Sequence, residues 1–414
     1  MATIRSVSMI GLGYIGLPTA TVIASRGIKV YGVDVHQHVV DTINRGEIHI
    51  IEPDLDQLVH QVVKDGFMVA NTVPQPADAF MIAVPTPFKN DHEPDLAYVE
   101  AAARSIAPVL AAGNLVVLES TSPVGATEQL SAWLAELRPD LKFPHQAGEQ
   151  ADVHLAYCPE RVLPGHILRE LISNDRIIGG MTVKGAELAA QLYGTFVQGA
   201  CLKTDARTAE MAKLTENAFR DVNIAFANEL SLICDRLKIN VWELIRLANH
   251  HPRVNILQPG PGVGGHCIAV DPWFIVDSAP NEARLIRTAR EVNDGKPGYV
   301  VTKVKEAARD LQSPVIACLG LAFKANIDDL RESPSVEIVR RLAADGVGKI
   351  LAVEPHVDAL PAELSDKGVE LADVASALER ANIVLLLVDH DQFKTILWMT
   401  LQDKTIIDTR GIVR

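Results

Sequence analysis

With 414 residues the chain is too long for one ordinary hydrophobic core, so two or three domains are expected. Apolar residues at 48% against 22% charged exclude a disordered or fibrous chain, and a net charge of −13 with no basic stripe argues against nucleic-acid binding. Cys158, Cys201, Cys234, Cys267 and Cys318 are scattered and lack C-x-x-C spacing, which disfavours a disulfide framework or zinc site and fits a reducing compartment. No signal-peptide pattern follows Arg5, and the longest aliphatic run, residues 383–388, is far below the ~18 residues of a membrane span. A cytoplasmic location away from membranes is expected.

Residues 4–10 read as a buried strand, followed at once by Gly11-Leu12-Gly13-Tyr14-Ile15-Gly16. A helix over 18–26 and a second strand over 29–34 follow, and this context strengthens an otherwise weak G-x-G-x-x-G match. In such a turn the first glycine permits the bend, the second admits a pyrophosphate, and the third lets helix and strand pack. Asp34 lies near the ~20-residue offset at which an acid accepts ribose hydroxyls. A 2′-phosphate would be repelled there, so NAD is favoured over NADP; a solvated strand-end acid is the competing reading.

The strand–helix alternation continues, with strands over 79–84, 115–119 and 153–157 and helices over 96–110 and 127–137. It implies a parallel sheet whose ligands bind beyond the carboxyl ends of the strands. Thr86 and Thr121 sit at such ends, with hydroxyls available to cofactor or substrate or to a helix N-cap; for Thr127 the cap competes seriously. The Pro159-Glu160-Arg161-Val162 stretch after the next strand sets opposite charges where the sheet opens, although an ordinary surface ion pair reads equally well.

No proline or glycine interrupts residues 208–236, so a long helix is expected there. Lys213, Asn217 and Arg220 fall at i, i+4 and i+7 on one face, a pattern suited to gripping an anion or a polar sugar. Ile224, Phe226, Leu230 and Ile233 offer apolar surface for a core or a dimer seam. After a helix over 241–248 come His250, His251 and Arg253; no third ligand stands at metal spacing, so hydrogen bonding to a substrate is the more economical use.

The most unusual stretch is Pro259-Gly260-Pro261-Gly262-Val263-Gly264-Gly265-His266-Cys267-Ile268-Ala269-Val270-Asp271-Pro272. Four glycines and three prolines preclude regular structure and make a shaped loop open to a bound group. Cys267 in that loop reads as a soft nucleophile and Asp271 as its proton partner or orienting charge; a buried structural cysteine is the bland alternative. Beyond a helical stretch over 281–311, strands over 315–319, 349–353, 383–388 and 405–407 form a second nucleotide-type fold lacking the full glycine fingerprint. Lys324 and Arg331 near its first crossover suit phosphates, or are surface charge beside Asp328 and Asp329. The class expected is α/β, with two Rossmann-like parallel-sheet domains joined by a long central helix and a helical middle region. The expected divisions are 1–205, 206–300 and 301–414.

Taken together, the chain resembles the UDP-glucose/GDP-mannose dehydrogenase family of four-electron nucleotide-sugar dehydrogenases. The motifs that carry this likeness are Gly-Leu-Gly-Tyr-Ile-Gly-Leu-Pro, Val-Pro-Thr-Pro, Ser-Thr-Ser-Pro-Val-Gly, Cys-Pro-Glu-Arg, Lys213-x-x-x-Asn217, Gly-Gly-His-Cys, and Gly-Leu-Ala-Phe-Lys followed by Arg331-Glu332-Ser333-Pro334. The resemblance implies that Cys267 captures a C6 aldehyde as a thiohemiacetal and then holds a thioester, which water releases as the uronate. It implies oxyanion and proton roles for Lys213 and Asn217, positioning or deprotonation by Asp271, and support of the attacking water by Glu160 and Thr121. NAD would meet Gly11, Gly13, Tyr14, Ile15, Gly16, Asp34, Thr86, Thr127 and Arg331. The UDP-sugar would meet Arg161, Val162, Lys213, Asn217, Arg220, His251, Arg253, Gly264, Phe323 and Lys324, with Arg253 supplied by a neighbouring subunit of a homodimer. Where the UDP-glucose branch carries Cys-Pro-Lys-Asp, this chain has Cys267-Ile268-Ala269-Val270-Asp271. With His266 and the His250-His251 pair, that points to the N-acetylhexosamine branch, mannosamine being preferred to glucosamine on overall likeness. The uronate would serve surface polysaccharide such as enterobacterial common antigen.

Overall fold

A computed structural model describes residues 4–89, 92–163, 165–265 and 268–413. The chain packs as two compact units, Met1–Thr215 and Glu216–Arg414, the division falling inside the helix Ala206–Leu237.

In the first unit the strands are β1 Ser6–Ile10, β2 Lys29–Val33, β3 Met68–Asn71, β4 Ala79–Ile82, a small hairpin of β5 Phe88–Lys89 and β6 Glu93–Pro94, β7 Leu115–Leu118, β8 His154–Tyr157, β9 Arg176–Gly180 and β10 Cys201–Asp205. All but the hairpin join one sheet in the order β10-β9-β8-β7-β4-β1-β2-β3. The central strands are continuous apolar runs because the sheet is covered on both faces. In β4, Ala79 and Met81 enter one core with the helix Gly16–Ser25, while Phe80 and Ile82 enter the other with the helices Ala97–Ile106 and Ala126–Leu137. Burying Met81, Phe80 or Ile82 contributes about 2 kcal/mol each relative to solvent. The strand order reverses between β1 and β4, which opens a crevice at their carboxyl ends.

The sheet is not wholly parallel as the alternation implies: β9 runs antiparallel to β8, and β10 follows β9. Gly179 and Gly180 in β9 are packing requirements. A Cβ on Gly179 would lie 2.5 Å from the Ala209 Cβ, and one on Gly180 2.5 Å from the Ala186 nitrogen.

The second unit carries the rest of the long helix, the helices Val241–Ala248, Asp271–Ser278 and Arg284–Ala308, and a parallel sheet. Its strands are β11 Val315–Leu319, β12 Lys349–Val353, β13 Glu370–Leu371, β14 Ile383–Leu386 and β15 Thr405–Asp408, in the order β13-β12-β11-β14-β15. Again alternate residues serve opposite faces, Ile316 and Cys318 to one core and Ala317 and Leu319 to the other. The fold is thus α/β with two Rossmann-like sheets and a helical middle region. Among the described residues no helix is long and apolar enough to cross a membrane.

Candidate active site

The turn after β1 is locked to its neighbours by backbone. Gly11 adopts φ +91° and donates its N–H to the Val33 carbonyl at 2.8 Å. A Cβ on Gly11 would sit 2.4 Å from the Ala83 carbonyl oxygen, whereas one on Gly13 would meet no protein atom within 4 Å. No side chain caps the helix Gly16–Ser25, so its amide dipoles face that open side. Asp34 accepts from the Leu12 N–H at 3.2 Å and from the His36 N–H at 3.0 Å. Burial opposes its ionisation, but the hydrogen bonds from His36 and Leu12 outweigh burial and hold its carboxyl below the usual range. An uncapped helix start, an open glycine and an ionised acid at the second strand end fit a dinucleotide. Tyr14 is exposed beside them and Ile15 half-buried.

At the ends of β4 and β7, the Thr86 hydroxyl donates to the Thr121 carbonyl at 2.5 Å. The helix after β7 begins at Ala126 behind Gly125, so Thr127 lies in its first turn rather than at the cap. Thr127 is fully buried, and the Glu210 carboxylate accepts from its hydroxyl at 2.6 Å, from its N–H at 2.8 Å and from the Gly125 N–H at 2.6 Å. Glu210, 83 residues away in sequence, does the work of an N-cap, and nothing in the local sequence signals it.

Glu160 is not part of a surface ion pair. It is buried against Arg176, whose Nη1 donates to it at 2.7 Å, while its other oxygen accepts from the Arg161 N–H at 2.6 Å. Behind this pair lie Glu119, Tyr193 and Cys158, all buried, with the Tyr193 hydroxyl donating to Glu119 at 2.6 Å. Burial, together with the Glu160 charge, pushes the Glu119 carboxyl up to about 8, against the pull of Tyr193 and Arg176. Burial likewise pushes the Cys158 thiol and the Tyr193 hydroxyl well up, so this cysteine is inert. Arg161 donates to the Asp175 carbonyl at 3.2 Å, and Val162 packs beside the core.

Lys213 is buried in the long helix, and Arg220 is exposed two turns on. In the second unit Asn217 donates to Asp271 at 2.5 Å; Asp271 is 2% exposed at the start of its helix. His266 and Cys267 lie outside the described residues; the loop up to Gly265 does not. A Cβ on Gly264 would fall 2.3 Å from the Glu332 carbonyl and 3.2 Å from the Phe323 Cβ, and one on Gly265 would fall 3.2 Å from the Phe323 ring. These glycines therefore let Phe323 close onto the loop. His251 and Arg253 are exposed, the His251 ring accepting from the Arg253 N–H at 3.3 Å.

The turn after β11 reproduces the one after β1. Gly320, φ +94°, donates to the Val353 carbonyl at 2.8 Å, and Glu354 at the end of β12 accepts from Leu321 and Ala322 at 2.7 and 3.0 Å. The sequence hides this likeness because the acid is glutamate and one glycine survives. Lys324 is exposed; the exposed Arg331 is bonded by Asp329 at 2.8 and 2.7 Å. Arg410, missed in the sequence, places its Nη1 2.8 Å from where a Gly260 Cβ would project, and Asp389 holds its other nitrogens.

Three regions match the UDP-glucose/GDP-mannose dehydrogenase family: its NAD binding domain over residues 5–197, its central domain over 207–295 and its UDP binding domain over 317–414. The chain is 68% identical to the NDP-N-acetyl-D-galactosaminuronic acid dehydrogenase of Ralstonia nicotianae, over 99% of this chain and 96% of the relative. It is 64% identical to the UDP-N-acetyl-D-mannosamine dehydrogenase of Campylobacter jejuni, over 95% and 97%. The structure of the UDP-D-ManNAc dehydrogenase of Pyrococcus horikoshii superposes with a TM-score of 0.87 at 39% identity, covering 99% of this chain and 96% of that one. The NAD-binding match spans the Gly11–Gly16 turn and Asp34, whose geometry fits that cofactor. The chain therefore belongs to the UDP-glucose/GDP-mannose dehydrogenase family and is an NAD-dependent oxidoreductase of nucleotide sugars.

Proposed function

We propose that the chain oxidises C6 of UDP-N-acetyl-D-mannosamine to the uronate in two steps through Cys267. Bound NAD supplies the hydride acceptor for each step, and two are reduced per sugar. In the first step a hydride leaves C6 and the hydroxyl loses its proton, giving an aldehyde. The Cys267 thiolate adds to that carbon, and the oxyanion gains a proton from Lys213 while Asn217 hydrogen-bonds it. Loss of a second hydride from C6 and of the hydroxyl proton leaves a thioester. Water, supported by Glu160 and Thr121, adds to it; the C–S bond breaks and uronate and thiol separate. With its oxygens engaged by Arg176 and by the Arg161 N–H, Glu160 suits orientation of that water better than its deprotonation.

The observation that carries this reading is the 2.5 Å bond from Asn217 to the buried Asp271, because it orients an amide from the long helix beside the end of the cysteine loop. NAD is assigned to Gly11, Gly13, Gly16, Tyr14, Ile15, Asp34 and Thr86; Thr127 and Arg331 would first have to exchange Glu210 and Asp329 for it. The sugar nucleotide is assigned to Arg161, Val162, Arg220, His251, Arg253, Gly264, Phe323 and Lys324, along with Lys213 and Asn217. The functional segments proposed are 1–205 for NAD, 206–300 for dimerisation and the cysteine loop, and 301–414 for UDP.

A homodimer is part of the reading. Phe219, Phe226, Ile233 and Leu237, 71%, 54%, 43% and 60% exposed, fall at i, i+7, i+14 and i+18 along the long helix. Such a stripe suits burial against a second copy. A cytoplasmic enzyme serving surface polysaccharide, of the enterobacterial common antigen type, completes the proposal.

The galacto isomer is the second reading, favoured by the 68% identity to the Ralstonia relative named for N-acetylgalactosaminuronic acid. NADH release from UDP-N-acetylmannosamine, UDP-N-acetylgalactosamine, UDP-N-acetylglucosamine and UDP-glucose ranks the sugars by kcat/KM. One NADH per sugar instead of two rejects the four-electron course. Cys267→Ser is expected to bind NAD and make no uronate; uronate at the wild-type rate rejects the covalent step.

A further inference from the structure

The helices Ala206–Leu237 and Arg284–Ala308 share a seam of buried polar groups that leads to the glycine loop. Arg290 donates to Asp221 at 2.6 Å, and the Asn293 amide donates to the same oxygen at 2.8 Å and to the Asp221 carbonyl at 3.1 Å. The Asn293 oxygen accepts from the Asn228 amide at 2.8 Å, and the Asn228 oxygen accepts from the Gly260 N–H at 2.9 Å. Asp221 and Asn228 are 0% exposed, and Arg290 and Asn293 1%. Burying an ion pair and two amides is costly, and apolar residues would fill the same seam without that cost. The chain of donors has one direction only. Arg290 has no acceptor, so Asp221 must accept; Asn293 must then turn its amide to Asp221 and its oxygen to Asn228. That in turn aims the Asn228 oxygen at the loop.

The loop rests on the same helix by packing. A Cβ on Gly262 would lie 3.2 Å from the Pro297 Cγ, and 2.7 Å from the Pro334 Cβ. Pro297 lies inside the helix Arg284–Ala308, one turn beyond Asn293. The loop start is thus held by a hydrogen bond to a side chain whose orientation is dictated from Arg290, and by close contacts to two rigid rings, those of Pro297 and Pro334.

We infer that Asn228 is a positioning residue for catalysis: it fixes the start of the glycine loop, and through it the approach of the loop's cysteine to C6. This rests on the reading that Cys267 is the nucleophile. Asn228 touches neither sugar nor cofactor, so its loss is expected in turnover rather than in NAD binding.

The test compares Asn228→Leu, similar in volume but without either bond, and Asn228→Ser, which keeps a hydroxyl able to accept and donate, with the wild type. Saturating UDP-N-acetylmannosamine is used, or whichever UDP-N-acetylhexosamine turns over fastest. Displacing a reacting group by about 1 Å costs on the order of 100-fold in rate, so kcat of Asn228→Leu is expected to fall by roughly that factor, with KM for NAD unchanged and Asn228→Ser in between. Wild-type kcat in Asn228→Leu, or a rise in KM for NAD that accounts for the whole loss, overturns the inference. If Asn228→Leu does not fold, Asn228→Ser decides: reduced kcat at unchanged KM for NAD supports the role, and unchanged kcat overturns it. Cys267→Ala run alongside separates the two ideas, since uronate formation by that variant defeats the nucleophile reading itself.

Discussion

The third glycine of the first turn and the first one all but touch: a Cβ on Gly16 would lie 1.8 Å from the carbonyl oxygen of Gly11. The glycines of one motif therefore answer to different constraints. Gly16 is held by the fold itself, Gly13 by nothing in the protein. Gly16→Ala is expected to cost about 3 kcal/mol or more, a fall of roughly 6–12 °C in the melting temperature of a unit this size. Gly13→Ala should melt like the wild type yet bind NAD tenfold or more weakly, about 1.4 kcal/mol. Calorimetry and NAD titration on the two variants check this; a destabilised Gly13→Ala would undo the distinction.

Asp34 is ionised and pinned by Leu12 and His36, a fixed negative charge at the end of β2. Asp34→Ala should raise KM for NAD by roughly 10- to 100-fold, the worth of a hydrogen bond to a charged group. It should also narrow the gap between NAD and NADP, because the repulsion of a 2′-phosphate goes with it. An unchanged NAD/NADP ratio of kcat/KM would remove Asp34 from the ribose.

Glu119 makes stability depend on pH. Its ordinary value is 4.5 and its folded value about 8, raised by burial and by the Glu160 charge. Between these values the folded chain binds the extra proton, so the stability it lends is complete below about 4.5, declines as pH rises, and is gone above about 8. Glu119→Gln keeps an acceptor for Tyr193 but does not titrate. Its melting temperature should match the wild type near pH 5 and exceed it near pH 9; parallel pH curves for the two proteins would show that Glu119 carries no such proton.

The stripe on the long helix predicts assembly. Phe219→Asp with Phe226→Asp introduces two charges where a dimer would exclude water, and should yield monomers in sedimentation at concentrations where the wild type is dimeric. Unaltered sedimentation would move the interface elsewhere.

The sequence by itself determined the parts whose cause is local. The continuous apolar strands, the uninterrupted long helix and the glycine turn with its acid at the next strand end are written in neighbouring residues. The helix Val241–Ala248 and the strands Val315–Leu319 and Lys349–Val353 coincide with their expected bounds. The Lys213, Asn217 and Arg220 spacing was equally legible, since a helix fixes which residues share a face. Only the tertiary structure decided what depends on distant partners. It reversed β9 and gave the helix after β7 its cap from Glu210. It also buried Glu160 against Arg176, and ran a polar chain from Arg290 to Gly260 through residues 32 to 72 positions apart. A buried carboxylate or amide takes whichever partner the fold brings within about 3 Å, and nothing in its own neighbourhood of the chain names that partner.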